Sequence, residues 1–146
     1  MVTSTIVEKN VRRLCRLLAK EKILFEHVAG KTTDYTLRGS ILSVAQQNNQ
    51  YAVELSAHIF TATEPGAAAG KPIKKSGQGA GAPAFDDDNK LLLFCSSNEK
   101  KIVSAYRYIL RNTSLYEGLE KMMRYQLKGI HHAAGQLKLL SKLKTV

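Results

Sequence analysis

The sequence predicts an α+β fold: an N-terminal helix, a three-stranded antiparallel sheet with a long Pro/Gly loop before its third strand, and C-terminal helices packed on one face. Three observations predict it. Val7, Val11, Leu14 and Leu18 recur at helical spacing. Tyr51, Val53, Leu55, Ala57 and Ile59 alternate with Ala52, Glu54, Ser56 and His58, the period of a half-buried strand. All three prolines, and half of the ten glycines, fall between Pro65 and Pro83 and divide the chain. With 146 residues, 1–146 is expected to form one domain that buries roughly two-thirds of its unfolded surface.

The elements follow in order. Thr5-Ile6-Val7-Glu8 fits a capping box, so a helix is predicted over 5–22, with Lys9, Arg12, Arg13, Arg16 and Lys20 on its polar side. A hairpin is predicted over 35–62. Its first strand runs from Tyr35 to Val44, its turn is Gln46-Gln47-Asn48-Asn49-Gln50, and its second strand runs from Tyr51 to Ala62. Residues 63–89 read as a basic Gly/Pro loop, whose cations are Lys71, Lys74 and Lys75 and whose end is Asp86-Asp87-Asp88. The apolar run Leu91–Cys95 reads as a third, buried strand. Helices are predicted over 97–144. Ser96 with Glu99 opens the first, which ends near Asn112, and Ser114 with Glu117 opens the next. Gly135 is expected to interrupt the latter, leaving a last short helix rich in Leu and Lys. Helices on one face of an antiparallel sheet satisfy the layer rule for α+β domains.

Charge narrows the partner. Twenty-two Lys and Arg face twelve Asp and Glu, a net charge of +10. Such a balance favours an anionic polymer or surface. Cys15 and Cys95 stand far apart in apolar runs, with neither disulfide nor zinc spacing, as core thiols of a reducing compartment do. No run reaches the length of a membrane span, so no membrane partner is expected. Three arginines between Val11 and Ala19 argue against a secretory signal. The expected location is cytoplasmic. The amphipathic, Arg-bearing first twenty residues keep the mitochondrion as the second choice.

No constellation for catalysis emerges, and the chain is expected not to be an enzyme and to need no cofactor or metal. His131 and His132 are adjacent and diverge by about a hundred degrees on a helix, too far apart to share one metal easily. Gly66, Gly70 and Gly77 do not follow a strand and open a helix, so Lys74-Lys75-Ser76 is not a P-loop. Three consecutive aspartates lack the alternate spacing and distal glutamate of a calcium loop. Asn112-Thr113-Ser114 matches a glycosylation sequon but reads better as a helix break. The candidate nucleic-acid-binding residues are therefore Lys71, Lys74 and Lys75 of the loop, Arg12, Arg13 and Arg16 of the first helix, and Lys100, Lys101, Arg107 and Arg111 after the sheet. Lysines release counterions on meeting phosphates, and glycine lets backbone approach them closely. Tyr51 and Tyr106 sit on apolar faces, which argues for backbone and shape recognition over base stacking.

From Leu91 to Lys121 the chain resembles the small Alu-domain subunits of the signal recognition particle. The resemblance lies in Ser96-Ser97, Ala105-Tyr106, Leu110-Arg111, Gly118-Leu119 and Lys121. It implies an order of helix, three strands and helix, and binding of folded RNA through a sheet and basic loops as a heterodimer. The expected function is a non-catalytic RNA-binding or ribonucleoprotein subunit, with structured RNA as partner and a protein partner within an assembly. The alternative is a protein–protein interaction subunit using the Leu/Met-rich helices from Leu119 to Leu143.

Overall fold

Buried positions recur at helical spacing along the four long segments of the described chain, and all four are helices. The computed structural model describes residues 5–59 and 83–144. Its helices are α1 (Thr5–Ala29), α2 (Tyr35–Ile59), α3 (Asp88–Asn112) and α4 (Glu117–Lys144). Among the described residues there is no strand, which corrects the expected α+β class. The two expected strands of the 35–62 hairpin, as far as Ile59, are one helix, α2. The supposed turn at 46–50 is its middle.

The reason is visible in what α2 buries. Leu37, Ile41, Val44, Ala45, Asn48, Tyr51, Leu55 and Ile59 face inward, an unbroken three-four pattern that passes straight through the polar run. Val53 is 54 % exposed, so the alternation from Tyr51 to Ile59 was a coincidence of composition. Leu91–Cys95, expected as a strand, belongs to the N-terminal part of α3. Leu91, Leu92 and Cys95 are buried while Leu93 is exposed, a helical spacing. Ser96 and Glu99 lie inside α3 and cap nothing.

Two aspartates that were not expected as caps set the starts of α2 and α3. Asp34 Oδ1 accepts the Leu37 N–H at 2.9 Å. Asp87 is the N-cap of α3 and accepts the Lys90 N–H at 2.9 Å, while Asp86 pairs with Lys90 Nζ at 2.7 Å. The three aspartates thus begin a helix, where acids complement the dipole. Thr113 closes α3, and α4 then runs unbroken through Gly135.

The helices form a four-cornered bundle. α1 packs on α2 and α3, and α4 packs on α3 and α2, leaving α1 diagonal to α4 and α2 diagonal to α3. Two apolar cores set the directions. One joins Val7, Val11, Leu14 and Leu18 to Tyr51, Leu55 and Ile59, to Ile102, Tyr106 and Ile109, and to Leu119, Met123 and Ile130. The other joins Phe25, Val28 and Ala29 to Leu37, Ile41, Val44 and Ala45, to Leu91, Leu92 and Cys95, and to Leu137. Each helix is therefore antiparallel to both neighbours, and the diagonal pair α2 and α3 run the same way. The end of α2 and the start of α3 therefore lie at opposite ends of the bundle, about 37 Å apart for helices of 25 residues.

Between the cores lies one polar layer. Going along the helices, Glu21 falls between Leu18 and Phe25, Asn48 between Ala45 and Tyr51, and Asn98 and Glu99 between Cys95 and Ile102. All four are buried. On α4 the corresponding stretch, between Ile130 and Leu137, contains Ala133 and Ala134.

Two glycines of α4 have opposite roles. At Gly129 the Tyr51 hydroxyl occupies the place a Cβ would take, and Gln47 Nε2 donates to the Gly129 carbonyl at 3.3 Å. At Gly135 nothing lies within 4 Å of an added Cβ. Gly129→Ala is expected to destabilise the bundle by about 1–3 kcal/mol through overpacking. Gly135→Ala is expected to stabilise it by about 0.5–1 kcal/mol through helix propensity. Urea unfolding of the two variants beside the parent checks both signs.

Candidate nucleic-acid interface

The helical frame sorts the expected basic residues onto different sides. Lys71, Lys74 and Lys75 lie outside the described residues. Arg12 and Arg16 flank Cys15, whose thiol donates to the Ala52 carbonyl at 3.7 Å, so they belong to the α1–α2 side. Arg12 also pairs with Glu8 one turn away at 3.9 Å. Arg13 lines a groove of about 200 Å³ between α1 and α3 with Leu17, Ala105 and Tyr108. Lys101 lies near Glu21, and its charge opposes the effect of burial on that carboxyl. The seven described candidates thus do not share one face.

Three of them do share a ridge. Lys100, Arg107 and Arg111 are seven and four residues apart on α3, so they nearly superimpose in projection, and all are exposed. The neighbouring helix supplies a second ridge that the sequence reading passed over. Arg124, Lys128, His131, Lys138 and Lys142 of α4 follow steps of four, three, seven and four, and all are exposed. The ridges meet where Arg107 Nη2 lies 3.5 Å from His131 Nε2. The signal for the second ridge was present in the sequence. Expecting Gly135 to end the helix hid it, because the stripe is only seen when α4 is read through to Lys144.

The local electrostatics are one-sided. In α4 the only acids are Glu117 and Glu120, paired with Lys121 at 3.5 Å and Arg124 at 3.0 Å. Beyond Glu120 the helix carries cations alone. Between Lys100 and Arg111, α3 has no acid, and Glu99 just before them is buried. Two of the chain's twelve acids, Glu21 and Glu99, are withdrawn from the surface in this way, which leaves the exterior more positive than composition alone implies.

The aromatic residues divide similarly. Tyr51 and Tyr106 are core residues. Tyr106 Oη donates to Gln126 Oε1 at 2.7 Å, and Gln126 Nε2 donates to Glu54 Oε1 at 3.0 Å, so that buried amide is satisfied on both ends. Burial drives the Tyr106 hydroxyl pKa far up, with the nearby Tyr51, Cys15 and Glu54 adding to it. His58 stacks on Tyr116 with ring centroids 5.7 Å apart, and His58 Nδ1 and the Tyr116 hydroxyl share a hydrogen bond. Exposed instead are Tyr35, Tyr108 and Tyr125. Among the described residues no group of three or more His, Cys, Asp or Glu is arranged to hold a metal ion. No helix among them is long and apolar enough to cross a membrane.

Comparison of the chain with known protein families, with curated proteins and with solved structures gives no match.

Neither cysteine has the surroundings of a nucleophile. Burial pushes the Cys95 thiol up to about 12, with Glu99 and Glu21 adding to the rise. Burial also raises Cys15, against the lowering effects of Ser56, Arg12 and Arg16. At pH 8 Cys95 of the folded protein is therefore expected to react with a disulfide reagent at least about a hundredfold more slowly than in the urea-unfolded chain. Prompt reaction of Cys95 in the folded protein would contradict the packing described.

Proposed function

We propose that this chain is a non-catalytic RNA-binding subunit that grips the phosphates of a structured RNA through the outer face of α3 and α4. One observation carries the reading: two adjacent cationic ridges, touching at Arg107 and His131, with no acid along Lys100–Arg111 or beyond Glu120 on α4. Lys100 to Arg111 covers about 16 Å of helix and Arg124 to Lys142 about 27 Å, at 1.5 Å per residue. A ridge of that length meets several phosphates of one folded strand. Arg107 and Arg111 supply planar forks suited to phosphate oxygens, and the lysines supply point charges. Such contacts read backbone and shape, not base edges. Lys71, Lys74 and Lys75 are the further phosphate contacts that the sequence offers.

A second reading, docking to a protein within an assembly, draws on α2. Tyr35, Leu42, Gln46, Asn49, Val53 and Ala57 form an exposed stripe without charge on an otherwise basic molecule. Of the Leu/Met-rich stretch expected to serve a partner, Leu119, Met123, Ile130 and Leu137 are core residues, while Leu139 and Leu143 are exposed.

Fluorescence anisotropy with a labelled RNA hairpin tests the main reading. Affinity is expected to fall about 100-fold or more between 50 and 200 mM salt, as for five or more phosphate contacts. Arg107→Glu combined with Lys128→Glu is expected to abolish binding with the melting temperature unchanged. Arg12→Glu combined with Arg16→Glu, on the α1–α2 side, is expected to weaken it only slightly. Equal affinity for the parent and the Arg107/Lys128 variant would sink the proposal. A DNA duplex that competes as well as the hairpin would sink the RNA assignment.

A further inference from the structure

The polar layer at mid-bundle is not needed for either reading above, and it is chemically incomplete. Glu21 Oε1, Asn48 Nδ2 and Glu99 Oε1 are buried and have no hydrogen-bond partner. Their residues are between 1 % and 3 % exposed. They come from three different helices and fall at one level, between two separate apolar cores. The contrast with Gln126, equally buried and fully paired, marks the layer as a place where the packing leaves polar capacity unused.

We propose that this layer is a proton-operated latch: a proton on Glu99 holds the two apolar halves of the bundle closed on each other, and its loss draws water into the layer and loosens the helices there. The carboxyl form carries a donor that the ionised form lacks, and a buried carboxylate without a cation is costly to keep dry. The groups around Glu99 allow this. From α1 comes Glu21, with Lys20 beside it and Lys101 of α3 opposing the effect of its burial. On α3 itself, Cys95 lies near both carboxyls and stays a neutral thiol. From α2 comes Asn48, which does not titrate. From α4 come Ala133 and Ala134. The titratable groups next to them on that helix are both exposed: His132, 3.2 Å from Gln136, and His131, against Arg107. No cation from any of these helices pairs with Glu99 among the described residues.

The direction with pH follows. Burial raises Glu99 to about 7 from the ordinary value of 4.5, and raises Glu21 in the same direction. The folded chain then holds a proton that the unfolded chain has released between those values. The stabilising effect is whole below pH 4.5 and is lost as pH rises through about 7.

The test is urea unfolding of the full chain at pH 5, 6, 7 and 8, with Glu99→Gln beside it, a neutral variant that keeps the shape and a donor. For the parent, the unfolding constant is expected to rise roughly 70-fold from pH 5 to pH 8 relative to the variant, the factor that linkage assigns to such a shift. The variant is expected to be the more stable of the two at pH 8. Amide exchange at 18–25, 45–51 and 95–102 is expected to quicken above pH 7 in the parent, beyond the intrinsic rate change, while amides near Val11 do not. Parallel pH profiles for parent and variant would overturn the latch. Should the variant fail to fold, carbon-13 titration of the Glu99 carboxyl in the parent decides. A midpoint at 6 or above upholds the proposal, and a lower one ends it. RNA affinity enters none of these readouts, so the latch and the RNA reading stand or fall separately.

Discussion

The structure depends on burying one apolar stripe from each of four helices in register. Most of the stability of an amphipathic helix comes from packing its apolar stripe, and here each stripe is covered only when the other helices face it. Core residues such as Leu14, Leu55, Ile102 and Met123 are essentially fully buried, and each comes from a different helix. Once those stripes meet, the rest follows. Short turns at 30–34 and 113–116 make α1–α2 and α3–α4 antiparallel, and the shared cores make α1–α3 and α2–α4 antiparallel as well. Close approach is allowed where a side chain is missing, as at Gly129 under Tyr51.

The same packing divides the charge. Each helix gives its apolar third to the core and shows the remainder, so a sequence with +10 net charge has to display it in stripes. α2 escapes this, because between Arg38 and Glu54 it has no charged residue. The result is a molecule with a strongly cationic side made by α3 and α4 and an uncharged one made by α2. Glu21 and Glu99 strengthen that asymmetry by lying inside. The polar layer and the cationic face are thus linked through composition: acids withdrawn from the exterior are the ones left short of partners within.

Some of this was legible before the fold was known. The start of α1, the end of α3 near Asn112, the Lys100–Arg107–Arg111 ridge and the core placement of Tyr106 all follow from three-four spacing and need only local geometry. The strands failed for a physical reason. Over the nine residues from Tyr51 to Ile59, alternation of Tyr51, Val53, Leu55, Ala57 and Ile59 satisfies a period of two, while 51, 55 and 59 alone satisfy a helix. Only the continuation through Asn48 to Val44 and Ile41 separates the two, and a polar run of Gln and Asn conceals it. Asn48 is a buried polar residue at the level of Glu21 and Glu99, and a polar side chain inside the stripe interrupts the apolar spacing from which a helix is read.

By itself the sequence determined the basic exterior, the absence of cysteine pairing signals, the stretch of Pro and Gly between two patterned halves, and the helical stripes of α1 and α3. Those are properties of composition and of neighbours within a few turns. Tertiary structure alone decided that the middle of the chain is helix, which basic residues share a face, and which acids are hidden. Each of these depends on residues far apart in the chain being pressed together, and the free energy of that contact outweighs local preference.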